Sequence, residues 1–140
     1  LVLDEAGEHL YVADYTGGLY RVRLADGELA AVRVKVEMSP YGIDGLYRTG
    51  DTLIAIQNGI RPHRVVSMRL ADDGLTVSAI DVLAANLPEF DEPTLGAIRG
   101  DRFLFVANSH WNRFDAENGL PAGLSGPIVL ELALPGLAVR

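Results

Sequence analysis

Three stretches of the chain carry one pattern of apolar and polar positions. Gly7-Glu-His-Leu-Tyr-Val-Ala-Asp-Tyr15, Gly50-Asp-Thr-Leu-Ile-Ala-Ile-Gln-Asn58 and Gly100-Asp-Arg-Phe-Leu-Phe-Val-Ala-Asn108 align without a gap. Each reads as a turn, then an apolar strand, then a polar residue. Gly50 follows Gly7 by 43 residues, and Gly100 follows Gly50 by 50. A second element keeps the same phase. Arg23-Leu-Ala-Asp-Gly-Glu-Leu29 resembles Arg69-Leu-Ala-Asp-Asp-Gly-Leu75, and both predict a strand end, an Asp-Gly hairpin turn and a new strand. Glu131-Leu-Ala-Leu-Pro-Gly136 takes the matching place in the third unit.

Two independent elements on one period of roughly 40–50 residues predict an all-β fold of the β-propeller type, built from four-stranded antiparallel blades. About three blades are expected, over 1–37, 42–84 and 93–140. Their strands fall near 1–4, 9–14, 18–24 and 28–36, then 43–48, 52–57, 63–70 and 75–83, then 94–99, 102–108 and 127–134. The second strand of each unit is apolar on both faces, as for a sheet covered on both sides. Residues 28–36 alternate: Ala30, Val32, Val34 and Val36 face one way, and Arg33, Lys35 and Glu37 the other. That pattern predicts an outer edge strand guarded by charge. The chain opens at Leu1 inside a strand, so the expectation is a piece of a larger ring whose remaining blades are its partners. The third unit lacks a fourth strand. Either an N-terminal strand of the parent ring completes it, or the C-terminus is a further cut.

Composition narrows the function. The 15 glycines and 7 prolines suit short strands and tight turns. The net charge of −7, with Lys35 the sole lysine, argues against nucleic-acid binding, which needs a basic surface. With no cysteine there is no disulfide and no thiolate site. No apolar run approaches the ~20 residues of a membrane span. Compartment is left open.

In a propeller, the loops leading into the innermost strands and those joining second to third strands share one face, where ligands bind. Met38–Asp44 and Ala84–Thr94 belong to the first set. Tyr15–Gly18, Asn58–His63 and Asn108–Pro127 belong to the second. These segments hold Asp44, Asn58, Arg61, His63, Asp91, Glu92, Asn108, His110, Trp111, Asn112 and Arg113. Their carboxylates and amides are hard oxygen donors for a divalent cation. Each also has a plainer role. Asp44 before Gly45 suits an Asx turn, Glu92 before Pro93 a loop cap, and Asn58 and Asn108 turn positions with φ > 0. His63 and His110 are either loop histidines or catalytic groups. Arg61 and Arg113 either hold an anionic substrate or pair with nearby acids. Trp111 is either a stacking platform or a lid. The loop near 109–126 is long, which favours function. There is no Ser-His-Asp order, no Gly-x-Ser-x-Gly elbow and no phosphate loop.

Through Leu10-Tyr-Val-Ala-Asp-Tyr-Thr-Gly-Gly-Leu-Tyr-Arg-Val, Gly42-Ile-Asp-Gly-Leu-Tyr and Glu92-Pro-Thr-Leu-Gly, the chain resembles the gluconolactonase, senescence-marker-protein and luciferin-regenerating-enzyme superfamily of six-bladed propellers. NHL-type propellers are similar in pattern. The resemblance implies a hydrolase of a small lactone or ester, with one divalent cation (Ca²⁺, Mn²⁺, Mg²⁺ or Zn²⁺) at the channel mouth. It makes Asp44, Glu92 and Asn58 candidate metal ligands, while the blade entry that carries the family's ligand Asn either reads Pro93-Thr94 here or is missing. Asp44 and His110 become candidate catalytic groups, and Arg61, His63, Asn108, Trp111 and Arg113 candidate substrate contacts. The alternative is a non-catalytic NHL-type propeller that binds a protein or small ligand through the same face.

Overall fold

The computed structural model describes residues 1–119 and 121–134. The chain is all-β, with a single 3-10 turn among the described residues. Strands β1 (Val2–Leu3), β2 (His9–Asp14), β3 (Gly18–Arg23) and β4 (Leu29–Ala31) form a first sheet in chain order. A short strand, β5 (Arg33–Val34), follows. A second sheet holds β6 (Ile43–Thr49), β7 (Thr52–Gln57), β8 (Arg64–Leu70) and β9 (Thr76–Ala85), again in chain order. The third holds β10 (Gly96–Arg99), β11 (Arg102–Val106) and β12 (Val129–Ala133). Consecutive strands within each sheet run antiparallel.

The repeated glycines set the registers. Gly50-Asp51 links Thr49 to its partner Thr52, and Gly100-Asp101 links Arg99 to Arg102. Both are two-residue hairpin loops whose glycine takes φ of 55° and 60°. Twist-matched hairpin turns need φ > 0 there, which glycine supplies without steric cost.

Two clusters make the core, one on each side of the second sheet. Leu53 and Ala55 of β7 join Tyr11 and Leu19 of the first sheet. Ile54 and Ile56, which point to the opposite face, join Phe103 and Phe105 of the third. The apolar character of β7 on both faces thus follows from packing on both sides. Tyr11 Oη also donates to Gly74 O (2.9 Å), and Arg21 Nη1 to Asp73 O (2.9 Å), tying the β8–β9 turn to the first sheet.

Residues 28–36 depart from expectation. The alternation is right, but the segment is not one edge strand. β4 pairs with β3 as far as Ala31. Val32 N–H then bonds Leu19 O, and Arg33 N–H bonds Leu75 O. From there β5 runs parallel to β9, adding a fifth strand to the second sheet. The valines drive this switch: Val32 is buried, and Val34 and Val36 pack on the cluster between the sheets. The third sheet shows three strands among the described residues. The expected Pro135-Gly136 turn and the end of the third unit at 140 lie outside the described residues. No helix among the described residues is long and apolar enough to cross a membrane.

Candidate functional site

A cleft of roughly 430 Å³ is lined by Tyr15, Asp44, Asn58, Glu92, Thr94, Ser109 and Trp111. Each of the five loops expected to converge supplies at least one of these residues. Two backbone hydrogen bonds bring the loops together. Gly42 N–H donates to Tyr15 O (2.8 Å), and Gly59 N–H donates to Gly42 O (3.2 Å). A Cβ on Gly59 would stand 2.6 Å from both Gly42 Cα and the Tyr15 hydroxyl, so the crossing needs glycine. Buried Gln57 fastens the Asp44 loop from beneath. Its Nε2 donates to Ser39 O (2.9 Å) and Tyr41 O (2.8 Å), while Arg64 Nε donates to its Oε1 (2.8 Å).

Side chains then form a chain of contacts. Tyr15 Oη donates to Asn58 Oδ1 (3.0 Å). Asn58 Nδ2 donates to Asp44 Oδ2 (3.0 Å) and Pro93 O (3.0 Å). Thr94 Oγ1 donates to the same Asp44 oxygen (2.6 Å). Asp44 is therefore a hub between strand lead-ins, and its carboxylate shows no Asx-turn bond to its own loop. The bonds above leave Asp44 Oδ1 open. Glu92 sits at φ 62°. Its Oε2 accepts from Asn112 N–H (2.8 Å), so it does cap the 3-10 turn Trp111–Arg113, as its plainer reading held. Asn58 is not in the left-handed region; among non-glycine residues only Asn86, Glu92 and His110 are, within the described part. The same holds for Asn108, so the turn reading of both asparagines gives way to hydrogen-bonding roles.

The cleft is electronegative. No lysine or arginine lines it. Partial burial first, then the charges of Asp44 and Glu92, push the Tyr15 phenol above its ordinary value. Trp111 stands exposed on the rim, its ring stacked on Phe114 with centroids 5.5 Å apart.

The remaining candidates lie elsewhere. Asn108, His110 and Arg113 line a second cleft of roughly 250 Å³, on the other side of the Asp91-Glu92 segment. There His110 Nδ1 and Arg113 Nε lie 2.8 and 2.9 Å from Asp91 Oδ2. Arg113 thus takes its ion-pairing role. Arg61 is exposed and His63 buried, and neither lines these two clefts. Burial, then the Arg61 charge, holds the His63 ring below its usual value. Sequence reasoning missed Tyr15, Thr94 and Ser109 as lining residues and Gln57 as the loop anchor. One signal was present: Tyr15, Asn58 and Asn108 occupy the same repeat position.

The hydrogen bond from His110, helped by the Arg113 charge and opposed by partial burial, lowers the Asp91 pKa from its ordinary 3.8. A lowered folded value means that ionised Asp91 stabilises the loop fully above pH 3.8. That contribution is lost as pH falls below 3.8 through the folded value. Trp111, the sole tryptophan, reports on this loop. Its emission is expected to change on acidification in that window, and the step is expected to vanish in Asp91→Asn. An identical step in both proteins would assign it to another group.

The donors fit one hard cation better than zinc. Asp44, Glu92 and the Thr94 and Ser109 hydroxyls are oxygen donors, the Asn58 amide would offer its Oδ1 in place of the bond it accepts from Tyr15, and no imidazole lines the cleft. Among the described residues, no three His, Asp or Glu side chains stand close enough to hold a metal alone. Neutral oxygens would complete the shell. No family model, curated protein or solved structure matches the chain.

Proposed function

We propose that the chain supplies consecutive blades of a β-propeller and that its larger cleft is the site of a metal-dependent lactone or ester hydrolase. The observation that carries the reading is the convergence of all five loops on one electronegative cleft holding Asp44, Asn58 and Glu92. Three successive meander sheets, packed face to face, support the propeller. Leu3, Leu29 and Val129 are exposed apolar residues on the first and third sheets, where further blades would cover them.

Asp44, Glu92 and Asn58 would hold Ca²⁺, Mg²⁺ or Mn²⁺. Bound there, the cation would polarise a substrate carbonyl and make water more acidic. Asp44 is held in place by Asn58 and Thr94, so its open oxygen is preorganised either to ligate or to accept a proton. Trp111 offers a flat apolar face to the substrate ring. Its exposed stack on Phe114 also favours the second reading, a propeller that binds a ligand without turning it over.

A panel of small lactones and aryl esters, assayed by proton release in the intact protein, separates the two. The hydrolase reading expects chelator-sensitive turnover, with Asp44→Asn lowering kcat/KM by about 10²-fold or more. Cation binding without turnover of any panel member would leave the binding module in its place.

A further inference from the structure

The geometry points to a serine nucleophile at the second cleft: Ser125, His110 and Asp91 stand in the relation of a hydrolytic triad, suited to short-chain acyl esters and independent of metal. The site goes beyond the cation cleft and shares none of its lining residues.

Asp91 precedes β10, His110 follows β11, and Ser125 lies on the loop entering β12. His110 Nδ1 is 2.8 Å from Asp91 Oδ2, and His110 Nε2 is 3.4 Å from Ser125 Oγ. The carboxylate holds the proton on Nδ1 and so leaves Nε2 as an acceptor, with Asn108 Nδ2 at 3.1 Å and Ser125 Oγ the more distant neighbour. That is the tautomer a general base requires. A separation of 3.4 Å is loose, as nucleophile–base pairs often are before substrate binds.

Asn108 supplies the second part of the arrangement. It is 4% exposed, and its Oδ1 accepts from Ile128 N–H (2.5 Å). That bond fixes the amide orientation and leaves Nδ2 as the group facing Ser125 Oγ (3.1 Å), Gly126 O (3.0 Å) and His110 Nε2 (3.1 Å). When the two Nδ2 hydrogens go to Ser125 Oγ and Gly126 O, Nε2 is left to accept the serine hydrogen. Asn108 is a positioning residue. Ser125 O lies 3.1 Å from Nε2 and would accept a hydrogen bond from the imidazolium that proton transfer creates. Ser125 itself is exposed, so an ester can reach it. Pro88, Leu124 and Ile128 give the roughly 250 Å³ cleft an apolar patch within an otherwise polar lining, of a size for a short acyl group.

The chain order is Asp, His, Ser. Triads are defined by geometry and roles, and several orders build the same arrangement. In the first half-reaction, Ser125 Oγ bonds the acyl carbon and its proton passes to Nε2. The acyl carbon–alkoxy bond breaks, and the alkoxide leaves with that proton. Water then attacks the acyl carbon, gives a proton to Nε2 and becomes the acid's hydroxyl, while Oγ regains the proton as the acyl bond breaks.

The test is labelling of the intact protein with a fluorophosphonate probe in EDTA, read by intact mass and peptide mapping. One adduct per chain on Ser125 is expected, absent in Ser125→Ala and formed about 10³-fold more slowly in His110→Gln. No adduct in the wild type, an adduct that survives Ser125→Ala, or unchanged labelling in His110→Gln would overturn the site. His110→Gln also loosens the loop, so a second comparison is needed. The chain has no cysteine, which makes Ser125→Cys a unique thiol. Iodoacetamide should alkylate it about 10-fold faster or more than the thiol of Ser125→Cys with His110→Gln. Equal rates would show that His110 does not activate this position.

Discussion

Phe103→Ala is expected to lower the unfolding free energy by about 3–5 kcal/mol, the usual cost of removing a buried aromatic ring. Phe103 is fully buried in the cluster between the second and third sheets. Its ring lies 5.0 Å from Tyr47 and is stacked on Phe105 at 5.6 Å. The backbone opposite cannot fill the void. Gly96 has no side chain to move in, and it is glycine because a Cβ there would collide with Leu104 O and stand 2.8 Å from Phe103 Cζ. At roughly 3–5 °C per kcal/mol for a chain of this size, the melting temperature should fall by about 10–20 °C. Phe114→Ala, at a half-exposed ring, is the control and should cost about 1 kcal/mol or less. Equal losses in the two variants would mean that the third sheet does not pack on the second.

The second large effect is at Gln57. Gln57→Leu keeps the side-chain bulk and removes three hydrogen bonds, to Ser39 O, Tyr41 O and Arg64 Nε. A stranded polar partner costs about 1–3 kcal/mol where water cannot replace the bond. The Ser39–Tyr41 loop is only partly covered, so a total loss of about 2–4 kcal/mol is expected in urea unfolding. Hydrogen exchange should rise through 38–44 first, because that loop loses its anchor before the sheets loosen. A loss under about 0.5 kcal/mol, with exchange unchanged, would show that the loop is held by other contacts.

These two residues also show what could be read from sequence. The run Phe103-Leu-Phe-Val106 aligned with Leu53-Ile-Ala-Ile56, and that alignment located both buried strands and their turns. Gly50 and Gly100 marked hairpins because only a particular φ satisfies a two-residue loop. Alternation in Ala30, Val32, Val34 and Val36 gave the buried face but not the sheet. A period of 2 survives when a strand leaves one partner for another, so the switch at Val32 was invisible. Loop convergence was readable from topology alone, and Asp44, Asn58, Glu92 and Trp111 do line one cleft. Thr94 and Gln57 were not readable, since their value lies in partners 50 and 16–18 residues away. His110 was singled out as reactive. Its partners Asp91 and Ser125 lie 19 and 15 residues from it in the chain, and local spacing carries no trace of that meeting.

On the proposed reading, Asp44 anchors a cation site at the meeting point of the five loops. Calorimetric titration of the intact protein with Ca²⁺, Mg²⁺ and Mn²⁺, beside its Asp44→Ala variant, tests it most directly. Asp44 is exposed, so the variant should fold as the wild type does. The expected result is binding of one cation with Kd of about 10⁻⁷–10⁻⁵ M, lost in Asp44→Ala. Absence of binding by the wild type, or equal binding by the variant, would contradict the account.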